Sequence, residues 1–271
     1  MQVINYFAKR LEAAGIANFQ QETFWLMSAA LNMSHSQIFS RQKFSGEELA
    51  KIESFISRRE SGEPLQYIIG EATFYGRDFK VGSGVLIPRQ DTESLINAAK
   101  FCFNPEEKFS FIDFGTGSGC IAITLLLEFA NSFAYMLDIS EKALFYASEN
   151  ISRYNLSQRA KIIKNFDSLK IDLLISNPPY IESQEIAELD SSVKDFEPHN
   201  ALDGGTDGMK IYREIFKIFA INLEPRYIIL ETGNFAQVNS LKNLSPEYKY
   251  KFTREFFDSG NFPRALLFEH I

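Results

Sequence analysis

Residues 111–120 read Phe111-Ile112-Asp113-Phe114-Gly115-Thr116-Gly117-Ser118-Gly119-Cys120. An apolar run ends in a turn with three glycines, and an apolar helix, Cys120 to Leu127, begins at once. A strand that passes through a glycine-rich turn into a helix brings backbone close to a ligand at the carboxyl edge of a sheet. Working outward, the pattern from about residue 90 alternates strands with helices, the signature of a wound α/β sheet. Strands are expected at Phe109–Phe114, Phe133–Asp138, Lys161–Lys164, Ile171–Ser176, Tyr227–Thr232, Tyr248–Arg254 and Arg264–Glu269. Helices fit at about 92–103, 119–130, 141–153, 207–222 and 234–242. With only a short loop between the last two of seven strands, the final strand should run antiparallel on a parallel sheet.

The stretch before this is different. Residues 1–60 read as a small helical bundle, with helices at roughly 2–14, 18–31, 34–40 and 46–60. Ser45 followed by Glu48 makes a capping box ahead of Leu49, Ile52, Phe55 and Ile56. Gln66 to Val81 is β-prone and broken by Gly70 and Gly76, the composition of a β-hairpin linker. The expected organisation is a helical bundle over 1–62, a linker over 63–88 and a catalytic domain over 89–271.

The glycine turn is not a dinucleotide fingerprint, which would need glycine at 120, where Cys120 stands. S-adenosylmethionine has no pyrophosphate to hold, and its amino-acid end carries an ammonium that an acid beneath the turn, Asp113, suits. Asp138 closes the next strand, where a carboxylate accepts hydrogen bonds from ribose hydroxyls. The candidate cofactor contacts are therefore Asp113, Gly115, Thr116, Gly117, Ser118, Gly119 and Asp138.

After the fourth strand comes Asn177-Pro178-Pro179-Tyr180. Asn-Pro and Pro-Pro also form ordinary turns, but this tetrapeptide falls at the same carboxyl edge as the glycine loop. Two successive prolines fix φ and donate no backbone hydrogen bond, so nearby carbonyls are held outward as acceptors. The Asn177 side-chain oxygen and the Pro178 carbonyl can each accept one N–H of a planar NH2 group, and Tyr180 offers a ring to stack on it. An amide or exocyclic amine nitrogen is a poor nucleophile, and fixed acceptors aim it and stabilise the positive charge that grows during attack. The three histidines, His35, His199 and His270, are scattered, and no Cys–His or Ser–His–Asp set is evident.

This tetrapeptide on this scaffold resembles both the glutamine-N5 methyltransferases of the HemK/PrmC family and the adenine-N6 DNA methyltransferases. Further motifs favour the former. Gly62-Glu63-Pro64-Leu65-Gln66-Tyr67-Ile68-Ile69-Gly70 followed by Phe74-Tyr75-Gly76-Arg77 is similar to that family's linker. Leu86-Ile87-Pro88-Arg89-Gln90-Asp91-Thr92-Glu93 is similar to its next signature, with Gln90 where proline is usual. Phe196-Glu197-Pro198 and Ala201-Leu202-Asp203-Gly204-Gly205-Thr206-Asp207-Gly208 complete the likeness.

The resemblance implies a Rossmann-like seven-stranded S-adenosylmethionine-dependent methyltransferase domain with a small N-terminal helical bundle that contacts bacterial class I peptide chain release factors. The substrate it implies is the glutamine of their Gly-Gly-Gln loop, with Asn177, Pro178, Pro179 and Tyr180 as the glutamine-binding motif and Asn177, Pro178 and Tyr180 as catalytic groups. It also makes Asn177 a cofactor neighbour and sets Phe166 near the adenine, while Asn165 stands where the family often has an acid. Arg89, Asp91 and Glu93 read first as residues that cap and solvate the start of the following helix and second as site-shaping residues, Glu197 as a loop anchor or substrate contact, and Glu231 as structural. No role is assigned to Asp258-Ser259-Gly260-Asn261-Phe262-Pro263-Arg264.

Charge and composition narrow the alternatives. The first 85 residues carry nine basic and nine acidic side chains, so the whole net charge of −7 falls in residues 86–271. Duplex binding usually needs a basic stripe, because phosphate neutralisation supplies most of the affinity, so direct nucleic-acid binding is not expected. Met1 to Leu11 reads as an amphipathic helix without the apolar core of a signal peptide, and no uncharged apolar run of about 18 residues occurs. Cys102 and Cys120 lie apart without a Cys/His cluster, which points to a metal-free cytoplasmic protein with no membrane attachment.

Overall fold

The computed structural model describes residues 2–166 and 169–271, so Met1, where the expected bundle begins, lies outside the described residues. Two compact units emerge. One comprises the chain up to Glu71 together with Asp190–Phe196; the other comprises Ala72–Leu189 and Glu197–Ile271.

The first unit holds α1 (Gln2–Ala13), α2 (Phe19–Leu31), α3 (His35–Ser40), α4 (Gly46–Glu60) and α5 (Leu65–Ile69). Ser45 caps α4 through the expected box, its hydroxyl accepting from Glu48 N–H while the Glu48 side chain accepts from Ser45 N–H. Ser34 and Gln37 repeat the device on α3. Ile4, Phe7, Leu11, Leu26, Met27, Ile52 and Ile56 form the core of the bundle. One expectation fails: Gln66 to Ile69 is helix α5, not strand. Pro64 starts the turn, Gly70 ends it at φ 85, and Ile68 is buried in the bundle core, so tertiary contact overrides β propensity.

The hairpin is shorter than expected and comprises β1 (Glu71–Phe74) and β2 (Arg77–Lys80). Phe74 and Phe79 are buried in the core of the second unit. In that unit, α6 (Glu93–Cys102) is followed by β3 (Ser110–Phe114), α7 (Cys120–Glu128), β4 (Phe133–Leu137), α8 (Glu141–Arg153), β5 (Ala160–Ile162) and β6 (Leu173–Ser176). A short α9 (Ser191–Lys194) belongs to the first unit. The chain then forms α10 (Lys210–Glu214), which continues through a π-helical stretch, Ile215–Ala220, into α11 (Ile221–Leu223). The last elements are β7 (Tyr227–Glu231), α12 (Phe235–Leu244), β8 (Tyr250–Phe257) and β9 (Pro263–His270).

The other seven strands form one sheet in the order β5-β4-β3-β6-β7-β9-β8. All neighbours are parallel except β9, which inserts antiparallel between β7 and β8, as the short final loop predicts. Side chains alternate between two cores. Phe111, Leu173, Ile175, Ile229 and Leu267 face one, and Ile112, Leu174, Ile228, Leu230 and Phe268 face the other. The order reverses between β3 and β6, and in this class of sheet ligands bind outside the carboxyl ends of the strands at that reversal. Phe114 pairs with Ser176 there, so Gly115 and Asn177 leave adjacent strands side by side.

Candidate active site

Gly115, Gly117 and Gly119 take φ values of 72, 56 and 82, a left-handed path that residues with a Cβ rarely follow. The turn is tied down on both sides. Gly115 and Thr116 N–H groups donate to Leu137 O at 2.9 and 3.0 Å, and Gly117 N–H donates to Asp138 Oδ2 at 2.9 Å. Asp138 Oδ1 accepts from Ser140 N–H at 2.8 Å. Each Asp138 oxygen thus makes one backbone bond and keeps a second acceptor direction open. Burial raises the Asp138 carboxyl above its ordinary value, against the pull of those N–H groups.

Asp113 lies lower than a cavity wall. It is fully buried, with Oδ2 accepting from Thr116 Oγ1 at 2.7 Å and from Ala122 N–H at 3.2 Å. Oδ1 has no donor among the described residues, and burial pushes the carboxyl up to about 7.

A cavity of about 650 Å³ opens over this edge, a size that suits a nucleoside-scale ligand. Its wall includes Gly115, Thr116, Gly117, Ser118, Asp138 and Asn177, brought together as the sequence suggested. Pro179 and Arg89 also line it. Four other candidates do not. Gly119 forms the start of α7, Pro178 is buried, Phe166 packs on Phe219 at 4.3 Å between ring centres, and Tyr180 turns its hydroxyl to Glu231 at 3.4 Å. Phe219 itself lines the cavity, as do Ile139 and Lys210, none of which the sequence flagged.

The Asn177–Tyr180 segment rests on a bed that sequence reasoning also missed. Gln237, 2% exposed, donates from Nε2 to Tyr180 O at 2.7 Å and accepts from Gly233 N–H at 2.8 Å. A Cβ at Gly204 would stand 2.7 Å from Tyr180 Cα and 2.9 Å from Pro179 O, and one at Gly208 would stand 2.5 Å from Tyr180 O. Backbone lies against backbone here, so the Gly204–Gly208 loop is shaped to let the tetrapeptide lie flush upon it. The motif residues of that loop were the available signal; Gln237 gave none.

The remaining acids sort by contact. Glu197, buried, takes Arg89 as an ion-pair partner and accepts Ile87 N–H at 3.2 Å, fixing the loop beside the cavity. Glu93 instead accepts Tyr75 N–H at 2.9 Å and serves the hairpin. Asp91 and Asp258 both pair with Arg264, so the terminal loop left without a role anchors β9. Asn177 donates from Nδ2 to Thr92 Oγ1 at 3.1 Å, which leaves its Oδ1 as the acceptor. An acceptor fixed beside a glycine-cradled cavity can aim a planar NH2 group at a bound electrophile.

The PrmC N-terminal domain family matches residues 2–70, and the methyltransferase small domain family matches residues 91–193. A release factor glutamine methyltransferase of Koribacter versatilis (strain Ellin345) is 36% identical over 239 residues, which cover 86% of this chain and 85% of the relative. This chain belongs to the release factor glutamine methyltransferase family. Members similar to it include those of Moorella thermoacetica, 35% identical over 90% of this chain and 88% of the relative, and Bacillus subtilis (strain 168), 31% identical over 86% and 84%.

Solved structures share the fold at lower identity. The hMettl16 catalytic domain in complex with MAT2A 3'UTR hairpin 6 superposes with a TM-score of 0.55 at 19% identity, covering 85% of this chain and 84% of that one. A methyltransferase from Pyrococcus furiosus gives 0.53 at 17% identity, covering 73% and 91%.

Proposed function

We propose that this protein transfers a methyl group from S-adenosylmethionine to the side-chain amide nitrogen of a glutamine in a peptide chain release factor, at that factor's Gly-Gly-Gln loop. The observation that carries the reading is the pairing of Phe114 with Ser176, which opens the glycine turn and Asn177 onto one cavity. Family membership supplies the class of substrate.

The residues present fit the cofactor. The open acceptor directions of Asp138 suit two ribose hydroxyls, while Asp113, buried beneath the turn, holds Thr116 and the start of α7 in place under it. Apolar Ile139 and Phe219 in the wall suit a flat base. When bound, S-adenosylmethionine supplies an electrophilic methyl carbon. Asn177 Oδ1 accepts an N–H of the substrate amide, directs its nitrogen toward that carbon and stabilises the charge that develops as the lone pair is used. The alkylated nitrogen becomes acidic, so its proton leaves without a strong base in the site.

Labelled methyl from S-adenosylmethionine is expected to enter purified release factor in the presence of the enzyme. A factor that stays unlabelled while the enzyme binds cofactor would overturn the substrate assignment. Asp138→Ala is expected to weaken cofactor binding by about 1.5–3 kcal/mol, the scale of lost hydrogen bonds to a charged group. Calorimetry that returned an unchanged dissociation constant would remove Asp138 from the site. Gly204→Ala is expected to lower the transfer rate on the order of 10- to 100-fold, because displacing the tetrapeptide spoils alignment. Cofactor affinity should barely move; an unchanged rate would mean the loop yields without cost.

A further inference from the structure

Gln237 is the third residue of α12, and its backbone N–H donates to the capping Asn234 Oδ1 at 2.9 Å. In a capping box the side chain at this position reaches back to the backbone N–H of the cap residue. Here it reaches one residue further, and Gln237 Oε1 accepts from Gly233 N–H at 2.8 Å. The nitrogen is thereby turned away from the helix. It donates to Tyr180 O at 2.7 Å and, more loosely, to Gly208 O at 3.5 Å. One planar amide thus joins three segments: the tetrapeptide after β6, the Gly204–Gly208 loop and the turn after β7.

We propose that Gln237 is a positioning residue for methyl transfer. Its NH2 pins the Tyr180 carbonyl, and through it the tetrapeptide, so that Asn177 and Pro179 meet the substrate amide in one fixed arrangement. The inference rests on the reading of this cavity as a glutamine-methylating site.

Little rotational freedom is left in the segment. At its start Ser176 Oγ donates to Phe114 O at 2.7 Å, and Asn177 Nδ2 donates to Thr92 Oγ1 at 3.1 Å. Pro178 and Pro179 have φ set by their rings, so rotation between the ends is confined mainly to ψ. The peptide plane that closes the segment is gripped on both edges. Tyr180 O accepts from Gln237, and Ile181 N–H donates to Leu202 O at 3.0 Å. Without the Gln237 donor, one edge of that plane is released.

The orientation of the Gln237 amide is itself determined. Gly233 N–H can only donate and Tyr180 O can only accept, so a flipped amide would set NH2 against a donor and oxygen against a carbonyl. The clamp is also closed to added side chains. A Cβ at Gly233 would stand 2.6 Å from two carbons of the Tyr180 ring and 3.3 Å from Gln237 Oε1. One at Gly208 would stand 2.6 Å from Gln237 Nε2. The Tyr180 ring therefore lies on bare backbone, with its hydroxyl at Glu231 and its carbonyl at Gln237. Gln237 lies outside the cavity wall, so it acts on the substrate through the segment it holds.

The test uses full-length enzyme, with thermal melting to set a temperature at which each variant is folded. Gln237→Glu keeps an oxygen for Gly233 N–H but turns the donor into an acceptor that faces two carbonyls. Gln237→Met removes donor and acceptor without adding charge. What the two share is the lost bond to Tyr180 O. Both should lower single-turnover transfer on the order of 10- to 100-fold at saturating cofactor and release factor, the scale of a lost alignment. The dissociation constant for S-adenosylmethionine and the KM for release factor should barely move, the pattern of an interaction used only in the transition state. Independently of turnover, the Asn177 side-chain NH2 signals in NMR, assigned by their loss in Asn177→Ala, should move in both variants. If Gln237→Glu does not fold, Gln237→Met decides. Folded variants that transfer at the wild-type rate, or that lose cofactor affinity while keeping the saturated rate, overturn the positioning role. A wild type that leaves release factor unmodified, while the Asn177 signals still move in the variants, supports the clamp and overturns the substrate assignment instead.

Discussion

Asn177→Ala should lower the single-turnover methyl-transfer rate by about 100-fold or more, the cost of losing one preorganised acceptor at the transition state. Asn177 lines the cavity with its nitrogen committed to Thr92, so the oxygen is free to orient the substrate amide. Release factor affinity should change much less, because a protein interface spreads its energy over residues outside the pocket. Asn177→Asp is not a mild substitution. It keeps an acceptor but adds a charge near a sulfonium, which would favour the bound ground state over the transition state, and it removes the NH2 that Thr92 accepts. Single-turnover rates at saturating cofactor and release factor separate binding from chemistry. An alanine variant with near-wild-type transfer would reduce the tetrapeptide to a turn.

Removal of residues 2–70 should abolish methylation of intact release factor while leaving cofactor binding largely in place. We propose the helical unit as the docking module for the factor. All of the candidate cofactor contacts lie in residues 113–177, in the other unit. The cut belongs at 70 rather than 60. Ile68 of α5 is part of the bundle core, and a shorter deletion would leave it without its packing partners. Calorimetry with S-adenosylmethionine checks that the remaining unit is folded, and a methylation assay on whole release factor reads the loss. A folded truncation that modified the factor at the full rate would show that the bundle has no docking role.

The sheet was legible because its strands are short apolar runs separated by helical periodicity, and all seven appear within a few residues of their expected bounds. The antiparallel last strand followed from a short loop, since a parallel crossover needs far more chain. The error at Gln66 to Ile69 has the opposite cause: four β-prone or neutral residues were turned into a helix by Pro64, Gly70 and a core that lies outside the local window. In the site, glycine loop and tetrapeptide were readable as contiguous motifs. Depth and direction were not. Asp113 sits under the turn instead of in the wall, Tyr180 looks inward to Glu231, and Phe166 stacks on Phe219. Those outcomes depend on partners brought together across the chain. Thr92 meets Asn177 across a separation of 85 residues, and Tyr180 meets Glu231 and Gln237 across 51 and 57. Glu231 read as structural for the same reason, because nothing near it in sequence shows the Tyr180 hydroxyl that reaches it.

Among the described residues no helix is long and apolar enough to cross a membrane. Purified release factor, incubated with the enzyme and S-adenosylmethionine, is digested and its peptides are fragmented in a mass spectrometer. One added methyl on the glutamine of the Gly-Gly-Gln loop, formed far more slowly when Asn177→Ala replaces the wild-type enzyme, is the expected result. A methyl on another residue, or an unmodified loop after complete turnover conditions, would contradict the account.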